Sequence, residues 1–309
     1  MEARGNMVFA QDDKFWDTYL KGRPKVPDTF FDRIFAYHTT HSGHFGTVHD
    51  VGAGPGPYAQ RLRARFVHVI VSDIVPANVE LARAHLQGLN GFSFRTARLE
   101  DASDIPAGSV DMVFAANVMH FAEPQDAAME AVARQLRPGG TFAAATFGPA
   151  RFADEPRLQD LWGRISREGG RRLLASVDDP AATARVLARV EGAYNVAPLS
   201  PELFAPGALR VHLNMEHGGI EGVLPPESRH LDTEPIFTGP DDVETFEVEE
   251  GWGFEMDLAG VKEHFASFPF VSKFPDVFME MYKELDELLA DGRRVKGHFP
   301  AKIILATRR

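Results

Sequence analysis

Residues 50–56 read Asp50-Val51-Gly52-Ala53-Gly54-Pro55-Gly56, directly after a predicted strand over residues 47–51. Glycine at alternate positions lets the backbone turn sharply after a strand and approach a ligand closely, because no Cβ stands in the way. Several nucleotide-binding folds share such a turn, and a plain tight turn can carry the same residues. The strands and helices on either side of the glycines therefore decide between a ligand-binding turn and a plain tight turn.

Strands and helices alternate on the carboxyl side of the glycine turn. In chain order we predict a helix directly after the glycines, a strand over 67–73, a helix over 77–89, strands over 92–97 and 110–117, a helix over 124–136 and a strand over 141–147. Short links between alternating strands and helices are typical of a parallel sheet with helices on both faces. The sequence therefore predicts an α/β fold in which the glycine turn follows the first strand.

Acidic residues follow the next two predicted strands. Asp73 ends the second strand, 17 residues past Gly56, where a carboxylate can accept hydrogen bonds from both hydroxyls of a ribose. Glu100 and Asp101 follow the third strand, where acids can bond an adenine amino group. NAD and S-adenosylmethionine both suit Asp73. The GxGxG spacing and the later sequence blocks favour S-adenosylmethionine.

Changes in composition divide the chain into four segments. Residues 1–45 are crowded with aromatic side chains and are predicted to form a helical N-terminal lid, and residues 46–148 the cofactor-binding core. Residues 149–244 are rich in Pro, Gly and Arg and are too long for a bare loop, so we predict an inserted substrate-binding cap. Residues 245–309 are expected to complete the sheet. Their predicted elements are a strand over 245–248, a helix over 277–289 and a closing strand over 301–307.

The composition excludes several classes of function. The 309 residues are 44% apolar and 25% charged, as in an ordinary globular protein. The absence of cysteine excludes disulfides, thiolate zinc sites and a cysteine nucleophile. We find no apolar run of bilayer length and no signal-peptide pattern, so a cytoplasmic protein without membrane contact is expected. The net charge of −11 and the scattered basic residues argue against a nucleic-acid partner.

From Val48 to Phe147 the sequence resembles the class I S-adenosylmethionine-dependent methyltransferases, most closely fungal members similar to trans-aconitate methyltransferases. The blocks that carry the resemblance are the glycine turn, Asp73, Glu100-Asp101, residues 111–121 and Leu136-Arg137-Pro138-Gly139-Gly140. Upstream, residues 19–27 are similar to the Y…RPxYP segment of that family, with Val26 where the family often has Tyr. The resemblance implies a Rossmann-like, seven-stranded, mostly parallel sheet whose last hairpin is antiparallel, with residues 301–307 as the inserted final strand.

The same resemblance implies a cofactor site for S-adenosylmethionine. Tyr19 and Arg23 would close over its methionyl end, where a guanidinium suits a carboxylate in two-point fashion. The expected cofactor-binding residues are Tyr19, Arg23, Asp50, Gly52, Ala53, Gly54, Asp73, Ile74, Glu100, Asp101, Asn117 and Val118.

His120 is the ionisable residue best placed to act on the methyl acceptor, because it follows the fourth strand at the edge where such sheets bind ligands. It would deprotonate or orient the acceptor, or else only bond a neighbouring loop. The candidate substrate-binding residues are Trp16, His120, Phe147, His212, Asn214, Trp252 and Phe268. An apolar wall with a few polar points suits a largely hydrophobic small molecule, although core packing explains most of these residues equally well.

Methyl transfer from a sulfonium is an in-line displacement that needs alignment and desolvation rather than a metal or a covalent nucleophile. His38, His41 and His44 are spaced by three, but Gly43 interrupts them and no carboxylate follows nearby, so no metal is expected.

Four functions remain open from the sequence. They are methylation of a carboxylate or hydroxyl oxygen of a fungal metabolite, S-methylation of a thiol-bearing secondary metabolite, cofactor binding without turnover in a regulatory role, and, less favoured, an NAD-dependent oxidoreductase. The expected partner is a small-molecule acceptor, bound by a monomer or a homodimer.

Overall fold

The computed structural model describes residues 13–152, 154–215 and 219–309. The first twelve residues of the predicted lid and four residues of the predicted cap therefore lie outside the described residues. In the described residues the strands are β1 (Thr47–Val51), β2 (His68–Asp73), β3 (Phe92–Thr96), β4 (Val110–Ala116), β5 (Leu136–Phe147), β6 (Leu209–Leu213), β7 (Val243–Glu247), β8 (Gly253–Met256), β9 (Val295–His298) and β10 (Ala301–Thr307).

The central sheet has the strand order β3-β2-β1-β4-β5-β10-β6-β7, and β8 and β9 form a separate antiparallel pair. Neighbours from β3 to β5 run parallel, whereas β10 runs antiparallel to both β5 and β6. The mostly parallel α/β fold and the inserted closing strand are confirmed. The predicted number of seven strands is wrong, because β7 pairs in parallel with β6 and adds an eighth strand at the edge.

Helices cover both faces of this sheet. The helices of the described segments are α1 (Asp13–Gly22), α2 (Asp28–His41), α3 (Ala59–Arg63), α4 (Pro76–His85), α5 (Gln125–Gln135), α6 (Pro156–Ala175), α7 (Pro180–Val190), α8 (Leu258–Ala266), α9 (Pro269–Lys273) and α10 (Met279–Leu288). Side chains of α2, α3 and α4 fill the core on one face, and those of α5 fill the core on the other. Searching the described helices, we find none with the length and apolar character needed to cross a bilayer.

The sequence pattern explains why the middle strands are covered on both sides. In β4 and in β10 every residue but the last is buried. Strands that are buried on both faces carry nearly continuous apolar runs instead of alternating polar ones. The segment 149–244 supplies α6 and α7, which lie where a cap is predicted, but it also supplies β6, which belongs to the sheet.

A buried basic cluster lies where β10, β6 and β7 meet. Lys302 is fully buried, and its Nζ lies 2.6 Å from His212 Nε2 and 3.7 Å from Glu244 Oε1. Burial lowers the pKa of the Lys302 ammonium from 10.5 to about 7, and the charge of Arg210 acts in the same direction. The folded protein therefore holds this proton less tightly than the unfolded chain does.

We expect this lysine to make the protein more stable as the pH rises from 7 to 9. In that range the unfolded chain keeps the Lys302 proton while the folded protein loses it, so the free energy of unfolding rises by up to about 1.4 kcal/mol per pH unit. Urea unfolding at several pH values measures the slope. Lys302→Met should remove this part of the slope, whereas Lys296→Met, at an exposed lysine of β9, should keep it. Equal slopes for wild type and Lys302→Met would contradict the prediction.

Candidate functional site

The glycine turn lies at the carboxyl end of β1 and requires glycine at two points of close approach. Gly52 and Gly54 have φ of 59° and 56°, in the left-handed region. A Cβ on Gly52 would lie 2.2 Å from the Val118 side chain, and one on Gly54 would lie 2.9 Å from the Trp16 ring. The turn is thus packed between the loop after β4 and helix α1, which explains why side chains are excluded from it.

The Asp73 carboxylate, at the end of β2, fixes the shape of this turn. Its Oδ2 accepts a hydrogen bond from Gly54 N at 2.9 Å, and its Oδ1 accepts from Val75 N at 2.9 Å and from Asn78 Nδ2 at 3.2 Å. Asn78 Oδ1 in turn accepts from Trp16 Nε1 at 2.9 Å. One carboxylate therefore organises the turn and, through Asn78, the position of α1.

One carboxylate, Asp50, and one guanidinium, Arg23, each have a buried atom without a hydrogen-bond partner in the described residues. Asp50 is 1% exposed, and its Oδ2 has no partner among the residues that the structure describes. Burial, assisted by the charge of Asp73, raises the pKa of Asp50 to about 8. Arg23 stacks on Phe268 and Tyr19, with Cζ 3.9 and 4.7 Å from the ring centroids, and its Nε is likewise unpartnered in the described ranges.

Tyr58 is partly buried near these two groups, and its ring packs on Phe31 and Phe114. Burial lowers the pKa of Arg23 and raises that of Tyr58. Buried polar atoms are normally hydrogen-bonded, so the unpartnered Asp50 Oδ2 and Arg23 Nε are compatible with a ligand that carries both charges. The methionyl end of S-adenosylmethionine has an ammonium and a carboxylate, and the residues present fit it.

Three further predicted cofactor residues, Ile74, Glu100 and Asp101, follow β2 and β3. Ile74, directly after Asp73, is 56% exposed. Glu100 Oε1 accepts from Glu123 N at 2.7 Å, and Asp101 Oδ1 accepts from Ser103 N and Oγ. These hydrogen bonds from Ser103 lower the pKa of Asp101.

Asn117 joins the carboxyl ends of β4 and β5. It has φ of 55°, and its Oδ1 accepts from Phe147 N at 3.0 Å and from Thr146 Oγ1 at 3.2 Å. Its side chain is therefore used within the protein. Phe147 packs on Phe30 and Trp252, with ring centroids 5.6 and 5.2 Å away, in the core below the site.

His120 lies in a short 3-10 turn after β4. It is 7% exposed, and its Nδ1 has no partner in the described part of the chain. Burial lowers the pKa of His120 to about 3, and the charges of Arg189 and Arg23 act in the same direction. Arg189 also donates to the His120 carbonyl at 3.1 Å. The imidazole is thus neutral at physiological pH and has one nitrogen left to bond a ligand.

The predicted substrate-binding residues lie in several parts of the structure. Trp16 lies against Gly54 and Phe268 against Arg23, whereas His120 follows Asn117 by three residues and is bonded through its carbonyl to Arg189. His212 lies in the basic cluster on β6, and Asn214 makes two hydrogen bonds of 2.9 Å with the Glu249 backbone. Trp252 packs in the core with Phe30 and Phe147.

Three residues near the predicted site residues escaped the sequence analysis: Tyr58, Asn78 and Arg189. Tyr58 is close in sequence to the glycine turn, and Asn78 is close to Asp73. This proximity could have identified both residues as candidates for the site. Arg189 lies in α7, far along the chain, where no local pattern marks it.

Comparisons with known proteins identify a methyltransferase family for this chain. The methyltransferase domain family matches residues 49–144. The sequence is 57% identical to methyltransferase tpcM of Aspergillus fumigatus, over 98% of this chain and 94% of that protein. It is 58% identical to methyltransferase AacuQ of Aspergillus aculeatus, over 98% and 96% of the two chains. A solved structure provisionally assigned as a Type II methyltransferase, from Anaeromyxobacter dehalogenans, covers 92% of this chain and 97% of its own at 18% identity, with a TM-score of 0.57, and shows a shared fold.

Proposed function

Because this chain belongs to the S-adenosylmethionine-dependent methyltransferases, a family with members in fungi, we propose that it methylates a carboxylate oxygen of a small organic metabolite. The observation that carries the proposal is the pair of buried, unpartnered atoms, Asp50 Oδ2 and Arg23 Nε, beside a glycine turn held by Asp73. This arrangement complements a ligand that has a ribose at one end and an amino-acid zwitterion at the other.

We assign the cofactor-binding roles along the sheet edge. Asp73 would accept from the ribose hydroxyls, and Ile74 and Asp101 would contact the adenine. Asp50 would accept from the methionyl ammonium, while Arg23, beside Tyr19, would donate to the methionyl carboxylate. When bound, S-adenosylmethionine supplies a methyl group already activated by its sulfonium. The protein's own residues need only align the acceptor and exclude water.

The state of His120 favours an acceptor that is ionised before it binds. A base whose conjugate acid has a pKa of about 3 is too weak to take a proton from an alcohol or a phenol near neutral pH. A carboxylate acceptor needs no base. The Nδ1 of His120 would orient it, either by donating a hydrogen bond to a carboxylate oxygen or through a bridging water. An acceptor thiol that is already ionised would satisfy the same condition, so the first experiment includes thiols.

The experiment is an acceptor screen with S-adenosylmethionine that carries a deuterated methyl group. The panel contains matched aromatic and aliphatic carboxylic acids, phenols and thiols, and mass spectrometry identifies which product gains the label. Labelled methyl esters support the proposal, whereas labelled thioethers favour S-methylation. Tight cofactor binding without turnover across the whole panel would favour a cofactor-binding protein.

His120→Asn is expected to lower kcat by about tenfold, the cost of roughly one hydrogen bond to the acceptor. The affinity for S-adenosylmethionine should stay within about twofold, because His120 is assigned to the acceptor side. Steady-state kinetics and calorimetry separate the two effects. His230→Asn, at an exposed histidine, is the control. A fall in cofactor affinity with unchanged kcat would contradict the assignment.

A further inference from the structure

His264, on α8, bonds two distant parts of the chain at once. It is completely buried, its Nδ1 lies 2.7 Å from the Gly22 carbonyl oxygen, and its Nε2 accepts from Ala150 N at 3.0 Å. A single neutral tautomer satisfies both bonds, with the proton on Nδ1 and the lone pair on Nε2. The last residue of α1 and the segment after β5 are therefore both tied to α8.

The contact between α1 and α8 leaves no room for a side chain. A Cβ on Gly22 would lie 2.2 Å from the Glu263 carbonyl oxygen and 2.6 Å from Ser267 Cβ. Gly22 packs directly against the backbone of α8, and its carbonyl oxygen is hydrogen-bonded to His264. These contacts fix the direction in which the chain leaves α1.

Arg23 is the next residue in the chain, so this contact places it. Its backbone N donates to the Tyr19 carbonyl at 3.0 Å, and its guanidinium stacks on Phe268, two residues past the end of α8. α8 and the residues that follow it thus hold Arg23 on both sides, by a bond to its neighbour Gly22 and by a ring under its charge.

We propose that His264 is a positioning residue, which holds Arg23 at the cofactor site by tying the end of α1 to α8 and to Ala150. The inference rests on the proposed function, in which Arg23 receives the methionyl carboxylate. Without these two hydrogen bonds of His264, α1 would spend part of its time away from the site. The apparent cofactor affinity would then be the intrinsic affinity multiplied by the fraction of time that α1 is correctly placed.

The two hydrogen bonds of His264 persist near neutral pH. Burial lowers the pKa of His264 to about 3, with the charge of Arg23 acting in the same direction. The ring therefore stays neutral, and its Nε2 keeps the lone pair that accepts from Ala150. Arg23 is a charged side chain that affects the pKa of His264. The rings that pack on the imidazole, those of Trp162, Phe268 and Phe299, are uncharged.

A double-mutant cycle on cofactor affinity tests whether His264 acts through Arg23. Calorimetry with S-adenosylhomocysteine measures Kd for wild type, Arg23→Met, His264→Phe and the double variant. Each single change is expected to weaken binding by about tenfold, and the double variant should bind within about twofold of Arg23→Met, because the two residues serve one contact. Weakening by about a hundredfold in the double variant, the product of two independent effects, would overturn the inference.

Two further variants keep the test decisive if His264→Phe folds poorly. His264→Gln can still donate to Gly22 and accept from Ala150, and it should recover most of the affinity. Val261→Ala removes packing from the same helix without touching the tie, and it should lower stability but leave Kd unchanged. A loss of affinity in Val261→Ala equal to that of His264→Phe would assign the effect to stability and overturn the inference.

The outcomes also separate this inference from the proposed function. An unchanged Kd in Arg23→Met would refute the assigned cofactor site, and the inference would fall with it. A weakened Kd in Arg23→Met together with an unchanged Kd in His264→Phe would refute the inference alone.

Discussion

Asp73→Ala is expected to weaken the binding of S-adenosylmethionine by at least about tenfold, or roughly 1.4 kcal/mol. The carboxylate is the proposed acceptor for the ribose hydroxyls, and it also bonds Gly54 N, Val75 N and Asn78. Its removal leaves these donors without a shared partner, so the turn loses its shape as well as its ligand contact. Both effects act in the same direction on cofactor affinity.

Calorimetric titration of S-adenosylmethionine and S-adenosylhomocysteine into wild type and variant measures this loss. Glu80→Gln is the matched control, because Glu80 lies on α4, seven residues after Asp73, and its carboxylate is exposed and pairs with Arg83. Circular dichroism establishes that the variant is folded. A folded Asp73→Ala protein with the wild-type Kd would refute the cofactor site and return the glycine turn to the wider group of nucleotide-binding turns.

Arg189→Met is expected to lower the free energy of unfolding by about 3–5 kcal/mol, the usual cost of removing one member of a buried ion pair. Arg189 is 1% exposed, donates to the carbonyl groups of His120 and Ala122, and pairs with Glu234 and Glu123. Methionine fills a similar space but leaves two carbonyl oxygens and the Glu234 carboxylate without their donor.

Urea unfolding followed by fluorescence measures the change. Arg185→Met is the control, since Arg185 lies one turn earlier on α7, is more exposed and approaches Glu123 only to 3.9 Å. The control should cost less than about 1 kcal/mol, as for a surface ion pair. If Arg189→Met lowered the free energy of unfolding by a similarly small amount, residues 119–123 would hold their position without the Arg189 hydrogen bonds, and the prediction would be wrong.

The sequence predicts the cofactor half of the molecule because its signals are local. The glycine turn, Asp73 at the end of the next strand and the closing strand over 301–307 all lie where they are expected. β6 is not predicted, and β7 begins two residues before the predicted strand over 245–248, but its pairing with β6 is not predicted. β6 lies inside a Pro- and Gly-rich segment, and β7 has only partly buried or exposed residues, so neither shows the apolar run of a central strand.

The long-range contacts could not be predicted, for a related physical reason. His264 bonds Gly22 across 242 positions of the chain, and Arg189 bonds His120 across 69. Each is a single polar residue in a helix, and its partner is a backbone carbonyl, which any residue type supplies. No pattern of residue types marks such a bond, so it becomes visible only when the fold brings the two segments together.

The position of β10 has a consequence for how the chain acquires its structure. β5 and β6 are joined only through this strand, which comes more than 150 residues after β5 in the chain. Until β10 docks, both neighbours present bare hydrogen-bonding edges, which are templates for intermolecular association. Such non-local pairing also slows folding, because the long loop must close before the contacts form. Because β10 follows the other strands of this sheet in the chain, the sheet cannot be complete before residues 301–307 are made, and until then the edges of β5 and β6 are open to association.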